Sequence, residues 1–214
     1  MTVESQPNKV ECRAAVRARR RARAGSAEAA GTASAFAAVL AEVLVGARTV
    51  IGYAALPGEP DLDLALDRAH AAGTQVLLPV TSPGRPLDFG RLAGPMADLP
   101  RRGRWRIREP ERTVDAAGAL AAADLLLVPG LAFSRTGARL GNGGGFYDRS
   151  FGPAGVAPLA RGSGRLLGVC FAEEVVDRLP AEPWDLLVDA VVTESGVADP
   201  DRGPLPRGRP AGNG

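Results

Sequence analysis

Apolar and polar positions fall along this chain in blocks that predict alternating helices and strands. Lys9 to Arg23, KVECRAAVRARRRAR, is rich in good helix formers, and Arg13, Arg17 and Arg20 or Arg21 recur at helical spacing. This predicts a basic helix. A second helix is expected from Ser26, a side chain suited to an N-cap, through an Ala-rich run to about Val45. RTVIGYAA then reads as a buried strand, a Pro-Gly loop carries Glu59, Asp61 to Ala72 reads as a short helix ending at Gly73, and TQVLLPV is the next strand. A strand, a helix and a strand in that order favour a parallel pair with a crossover helix.

The pattern repeats downstream. GRWRIREP predicts a short strand stopped by Pro110, and the Ala-rich run to Ala123 reads either as a helix or as a covering loop. DLLLVPG, Asp124 to Gly130, is a continuous apolar run bounded by turn residues, as expected for a central parallel strand covered on both faces. A glycine loop should then lead into a helix near Gly144, and GRLLGVCF and DLLVDAVVTE supply two more strands. The alternation predicts one α/β domain with a doubly wound, mostly parallel sheet flanked by helices, whose ligand crevice lies outside the carboxyl ends of the strands. Its expected extent is residues 1–198. Residues 199–214, rich in Pro and Gly with almost nothing to bury, are expected to be a disordered tail.

Composition removes several kinds of chemistry. The 214 residues suffice for one good-sized core, and a formal charge of +2 is too small for a chain that coats nucleic acid. Cys12 and Cys170 lie far apart with no CxxC pair, so neither a zinc site nor a disulfide framework is expected, and a reducing, cytoplasmic setting fits. No apolar run approaches the roughly 20 residues of a spanning helix, and the polar start lacks the apolar core of a signal sequence. His70 is the only histidine and sits in DRAHAAG, expected to be an exposed helix end, which argues against a catalytic triad or a His-rich metal site. Lys9 is the only lysine among 26 basic residues, so a P-loop lysine cannot exist here.

What remains is RLGNGGGFYDRSF, Arg139 to Phe151. Gly141 and Gly143 begin a G-x-G pattern, but Phe146 stands at the third glycine position and the stretch falls late in the chain, so it does not read as a dinucleotide fingerprint. Two readings stand: a nest of backbone N–H groups for a phosphate, or a glycine-rich turn. Asp148 is correspondingly a cation ligand beside phosphate or an acid stabilised in the first turn of a helix. The basic helix is a solvated face, or Lys9, Arg13 and Arg17 reach phosphates at the loop. Glu59 reads most simply as a surface acid and Trp105 as core.

Taken together, KVECR, YAALPGEPD, WRIREP, LLLVPGLAFSRTGARLGNGGGFYDR and GVCFAEEVVDRLPAEPWDLLVDAVVTE, in that order from about Lys9 to Glu194, resemble the 5-formyltetrahydrofolate cyclo-ligase family. The resemblance implies a Rossmann-like fold and closure of 5-formyltetrahydrofolate to 5,10-methenyltetrahydrofolate with Mg2+ and ATP, releasing ADP and phosphate. It implies ATP contacts for Lys9, Arg13, Arg139 and the loop Leu140, Gly141, Asn142, Gly143, Gly144, Gly145, Phe146 and Tyr147. It assigns catalysis to Arg139 and Asp148, Mg2+ to Asp148 and Asp185, and the folate to Ala54, Glu59, Trp105, Asn142 and Phe146. Asn142 stands where relatives often carry a basic residue, and Arg135 or Arg149 are the candidates to supply that charge. The partners so implied are ATP and a reduced folate, with a monomer expected and neither membrane nor nucleic acid. A non-catalytic member of the fold that binds nucleotide, folate or RNA is the alternative.

Overall fold

The computed structural model describes residues 8–23, 27–103, 105–160 and 162–198. The expected cap at Ser26 and the expected tail at 199–214 lie outside the described residues. Helix α1, Lys9–Arg23, occupies the bounds its composition predicts, and α2 spans Ala27–Val43. The main sheet is built from β1, Thr49–Ile51, β2, Gln75–Val80, and β3, Asp88–Arg91, with α3, Asp63–Ala71, between the first two. A separate hairpin follows, β4, Arg101–Arg102, with β5, Ile107–Arg108. The strand expected at GRWRIREP is thus two residues long and outside the main sheet.

β6, Val114–Asp115, closes that edge, and α4, Ala116–Ala122, settles the Ala-rich run as a helix capped by the Asp115 carboxylate on the Gly118 N–H. β7, Leu125–Pro129, is the expected central strand. β8, Ala132–Ser134, and β9, Arg139–Leu140, lead to α5, Phe146–Phe151. The chain ends in β10, Leu166–Val169, β11, Val175–Val176, β12, Ala190–Thr193, and β13, Gly196–Ala198. The sheet order is β13-β12-β10-β7-β1-β2-β3-β6, with the five central strands parallel and β13, β3 and β6 added antiparallel at the edges.

Successive strand residues face opposite sides, and here both sides are buried. Val50, Val76, Leu78 and Leu127 pack with Phe36, Leu40 and Leu66 of α2 and α3. Ile51, Leu77, Leu126 and Val128 pack with Ala119 of α4 and Phe151 of α5. This two-sided burial is why the central strands read as unbroken apolar runs. β1 pairs with β2 on one side and β7 on the other, so the chain reverses its direction of winding between β1 and β7. A crevice opens at such a point beyond the strand ends. No described helix is long and apolar enough to cross a membrane.

A second sheet, β11-β8-β9, sits beside that crevice and carries Arg139. Its strands hold α1 through a small apolar cluster of Val16, Leu131, Ala132 and Leu140. A buried ion pair fixes the same helix: Arg20 Nε and Nη2 donate to Glu174 Oε1 and Oε2 at 2.8 and 2.7 Å, and Nη2 also donates to the Gly130 carbonyl at the end of β7. Glu174 in turn accepts the Phe171 N–H.

Candidate functional site

The crevice is a cavity of about 500 Å3 beyond the ends of β1, β2 and β7. One wall is basic and glycine-rich, with Lys9, Arg13 and Arg17 of α1 facing Gly141 to Gly145. The opposite wall is mostly apolar and aromatic, with Tyr53, Ala54 and Leu56 after β1, Pro79 at the end of β2, and Trp105 and Ile107 of the hairpin. Arg139, Phe146, Tyr147, Asp148 and Asp185 complete the lining. The expected site residues therefore converge, with one exception. Leu140 is 1% exposed, packs beneath α1 and does not line the cavity; its strand position carries the loop while its side chain serves the core.

The glycine loop is tied to α1 through its carbonyls. Arg13 Nε donates to Gly141 O and Arg17 Nη2 to Asn142 O, both at 2.9 Å. Gly143 and Gly145 both adopt positive φ, 97° and 64°, which side chains with a Cβ disfavour. From Asn142 to Gly145 no backbone N–H donates to another described residue. A run of unclaimed donors beside three cations is suited to an anion.

Arg139 and Asp148 form the polar centre of the cavity. Arg139 Nη2 donates to both Asp148 oxygens, at 2.8 and 2.9 Å, its guanidinium carbon lies 5.5 Å from the Tyr147 ring centre, and its buried Nε has no partner among the described residues. Burial pushes the Asp148 carboxyl up, but the Arg139 charge and hydrogen bonds, with the Leu186 N–H on Oδ1, outweigh it and hold the acid below its ordinary range. Asp185 Oδ2 accepts from Lys9 Nζ at 2.6 Å and from the Glu182 N–H at 2.7 Å. Each of the two candidate metal ligands is thus already neutralised by a cation. Among the described residues no cluster of three or more His, Cys, Asp or Glu could hold a metal.

Glu59 departs from the surface acid expected. It is half-buried in the cavity wall, with Oε2 accepting the Leu56 N–H at 3.0 Å and Oε1 accepting Asn142 Nδ2 at 2.8 Å across the cleft. Burial raises its pKa, an effect only partly offset by Leu56, Arg20 and Asn142. Trp105 is not core: it is 59% exposed and lines the cavity from the hairpin. The two candidates for extra loop charge part ways. Arg135 pairs with Asp177 on the surface, whereas Arg149 Nη2 donates to Gly144 O at 2.7 Å.

Several cavity residues were not singled out as site residues from the sequence. Tyr53, buried with its hydroxyl donating to Pro60 O, reads in RTVIGYAA as a strand residue and in YAALPGEPD as part of the resemblance, with no role assigned. Thr81 lines the cavity with its hydroxyl donating to Glu109 Oε1, and Arg108 lines it while ion-paired to Asp63. The placement of Thr81 and Arg108 depends on partners 28 and 45 residues away, which no local pattern reports.

The sequence model of the 5-formyltetrahydrofolate cyclo-ligase family matches residues 5–194. The chain is 33% identical over 160 residues to a 5-formyltetrahydrofolate cyclo-ligase of Mycolicibacterium smegmatis, covering 72% of this chain and 77% of that one. It is 34% identical over 158 residues to the enzyme of that name from Escherichia coli, covering 72% and 82%. The solution structure of Aquifex aeolicus 5,10-methenyltetrahydrofolate synthetase superposes with a TM-score of 0.67 at 27% identity, over 92% of this chain and 95% of that one.

Proposed function

The chain belongs to the 5-formyltetrahydrofolate cyclo-ligase family, and from that premise we propose that it closes 5-formyltetrahydrofolate to 5,10-methenyltetrahydrofolate at the expense of ATP. The observation that carries this reading is one cavity with two chemically opposite walls. Lys9, Arg13, Arg17, Arg139 and the free N–H groups of the glycine loop suit a triphosphate, while Tyr53, Ala54, Leu56 and Trp105 suit a flat heterocycle. Glu59, beside the apolar wall, is an acceptor for the amino and ring N–H groups of a pterin, and Phe146 lines the same cavity.

The reaction then asks the chain for positioning and charge, with no protein nucleophile. The formyl oxygen attacks the γ-phosphorus, the bond to the bridging oxygen breaks and ADP leaves. N10 attacks the activated carbon and loses its proton, and the carbon–oxygen bond breaks to release phosphate. Arg139, which lines the cavity, is the cation suited to stabilise charge developing on the transferred group. Mg2+ characteristically takes one or two carboxylates together with phosphates and water, a donor set that Asp148 and Asp185 fit. Bound there, it would neutralise phosphate charge; in its absence Lys9 and Arg139 balance both acids.

Purified protein given 5-formyltetrahydrofolate and Mg-ATP is expected to generate the near-ultraviolet chromophore of the methenyl product. Binding of both ligands with no chromophore at high protein concentration would rule out the catalytic reading. A pH series tests Glu59. Because its pKa is raised, the anionic acceptor is present above that pKa, so folate affinity should weaken as the pH falls through a range above that of an ordinary glutamate. E59Q should bind folate about tenfold more weakly at neutral pH and lose this pH dependence. A wild-type profile in E59Q would remove Glu59 from the folate site.

A further inference from the structure

We infer that Arg149 is a positioning residue for the nucleotide phosphates, acting through the backbone of the glycine loop and not by touching them. The inference rests on the reading of this cavity as an ATP site. Arg149 does not line the cavity, whereas Gly144 and Gly145 do. Its Nη2 donates to Gly144 O at 2.7 Å, so the guanidinium lies on the far side of the loop and draws that carbonyl outward. No peptide bond among the described residues is cis. In a trans peptide the C=O and the following N–H point in opposite directions, so an outward Gly144 carbonyl turns the Gly145 N–H inward, toward the cavity.

The surroundings of Arg149 match this role. Among the described residues no carboxylate pairs with it and its buried Nε has no partner. The guanidinium carbon lies 5.3 Å from the centre of the Phe146 ring, which holds it in place from the helix side. Gly145 is fitted to the same arrangement: a Cβ there would sit 2.7 Å from Arg149 Nη1, and its φ of +64° is left-handed. The glycine thus admits the arginine as well as the turn. Arg149 is the guanidinium that supports the loop where Asn142 offers no charge.

The test is titration calorimetry of full-length protein with Mg-ATP in the absence of folate, alongside steady-state kinetics. R149M is expected to weaken ATP binding about tenfold and to raise the ATP KM to match, with kcat at saturating ATP reduced by less than about threefold. R149K keeps the charge but loses the planar fork, and should fall closer to R149M than to wild type. Wild-type ATP affinity in R149M would overturn the proposal, as would full retention in R149K, which would make charge alone sufficient. A change in folate KM with ATP binding intact would also overturn it, assigning Arg149 to Phe146 instead. Wild-type protein that binds no ATP fails the nucleotide reading itself, a result distinct from all of these.

Discussion

Arg139→Met is expected to lower kcat by at least about a hundredfold, the effect of removing a preorganised charged donor from the reacting centre. The same change strands Asp148, whose two oxygens both accept from Arg139 Nη2. That carboxylate is about a quarter exposed, so the stability cost is discounted from that of a fully buried pair to about 1–3 kcal/mol. The pH dependence has a definite sign. Asp148 is held below its ordinary range in the folded protein, so its contribution is present above the unfolded pKa and disappears as the pH falls through the lower, folded value. In R139M the balance reverses, because burial then dominates and raises the Asp148 pKa, so the cost of the stranded acid should be relieved as the pH falls. Asp148→Asn should also cost about a hundredfold in turnover, and the double variant R139M/D148N should recover most of the melting temperature but none of the turnover. Recovery of turnover in the double variant would show that the pair serves folding alone.

Arg20→Met is expected to be the most destabilising single change considered. It leaves the Glu174 carboxylate, fully buried, with its charge uncompensated and a cost of about 3–5 kcal/mol. For a chain of this size that corresponds to a fall of roughly 10 °C in melting temperature. Replacing both partners, R20M/E174L, removes the stranded charge, and the melting temperature should return most of the way. Equal melting of the single and double variants would mean that lost packing, not the orphaned carboxylate, sets the cost.

The sequence reveals the elements whose burial is periodic or continuous. α1 carries its own punctuation, and Leu125–Pro129 is apolar throughout because it is covered on both faces. The sheet β11-β8-β9 was not legible, since strands of two or three residues show no period and their partners lie up to about forty positions away. The glycine loop, the α1 cations and both acids could be named from the family resemblance, and they do converge on one cavity. Burial of individual polar and aromatic side chains could not be read. Trp105 lies in a stretch expected to form a strand yet projects from a hairpin outside the main sheet, and Glu59 lies in a polar loop yet turns inward. For Glu59 the partner across the cleft, Asn142, is 83 residues away.

The docking of α1 has a further consequence, for the order in which the protein assembles. Lys9 meets Asp185 across 176 residues and Arg20 meets Glu174 across 154. The helix that faces the glycine loop is therefore synthesised more than 150 residues ahead of its charged anchors. Until then it is a short basic helix with its apolar stripe uncovered, marginal on its own in water. Assembly of the basic wall of the cavity thus waits on closure of a loop of 154 residues or more.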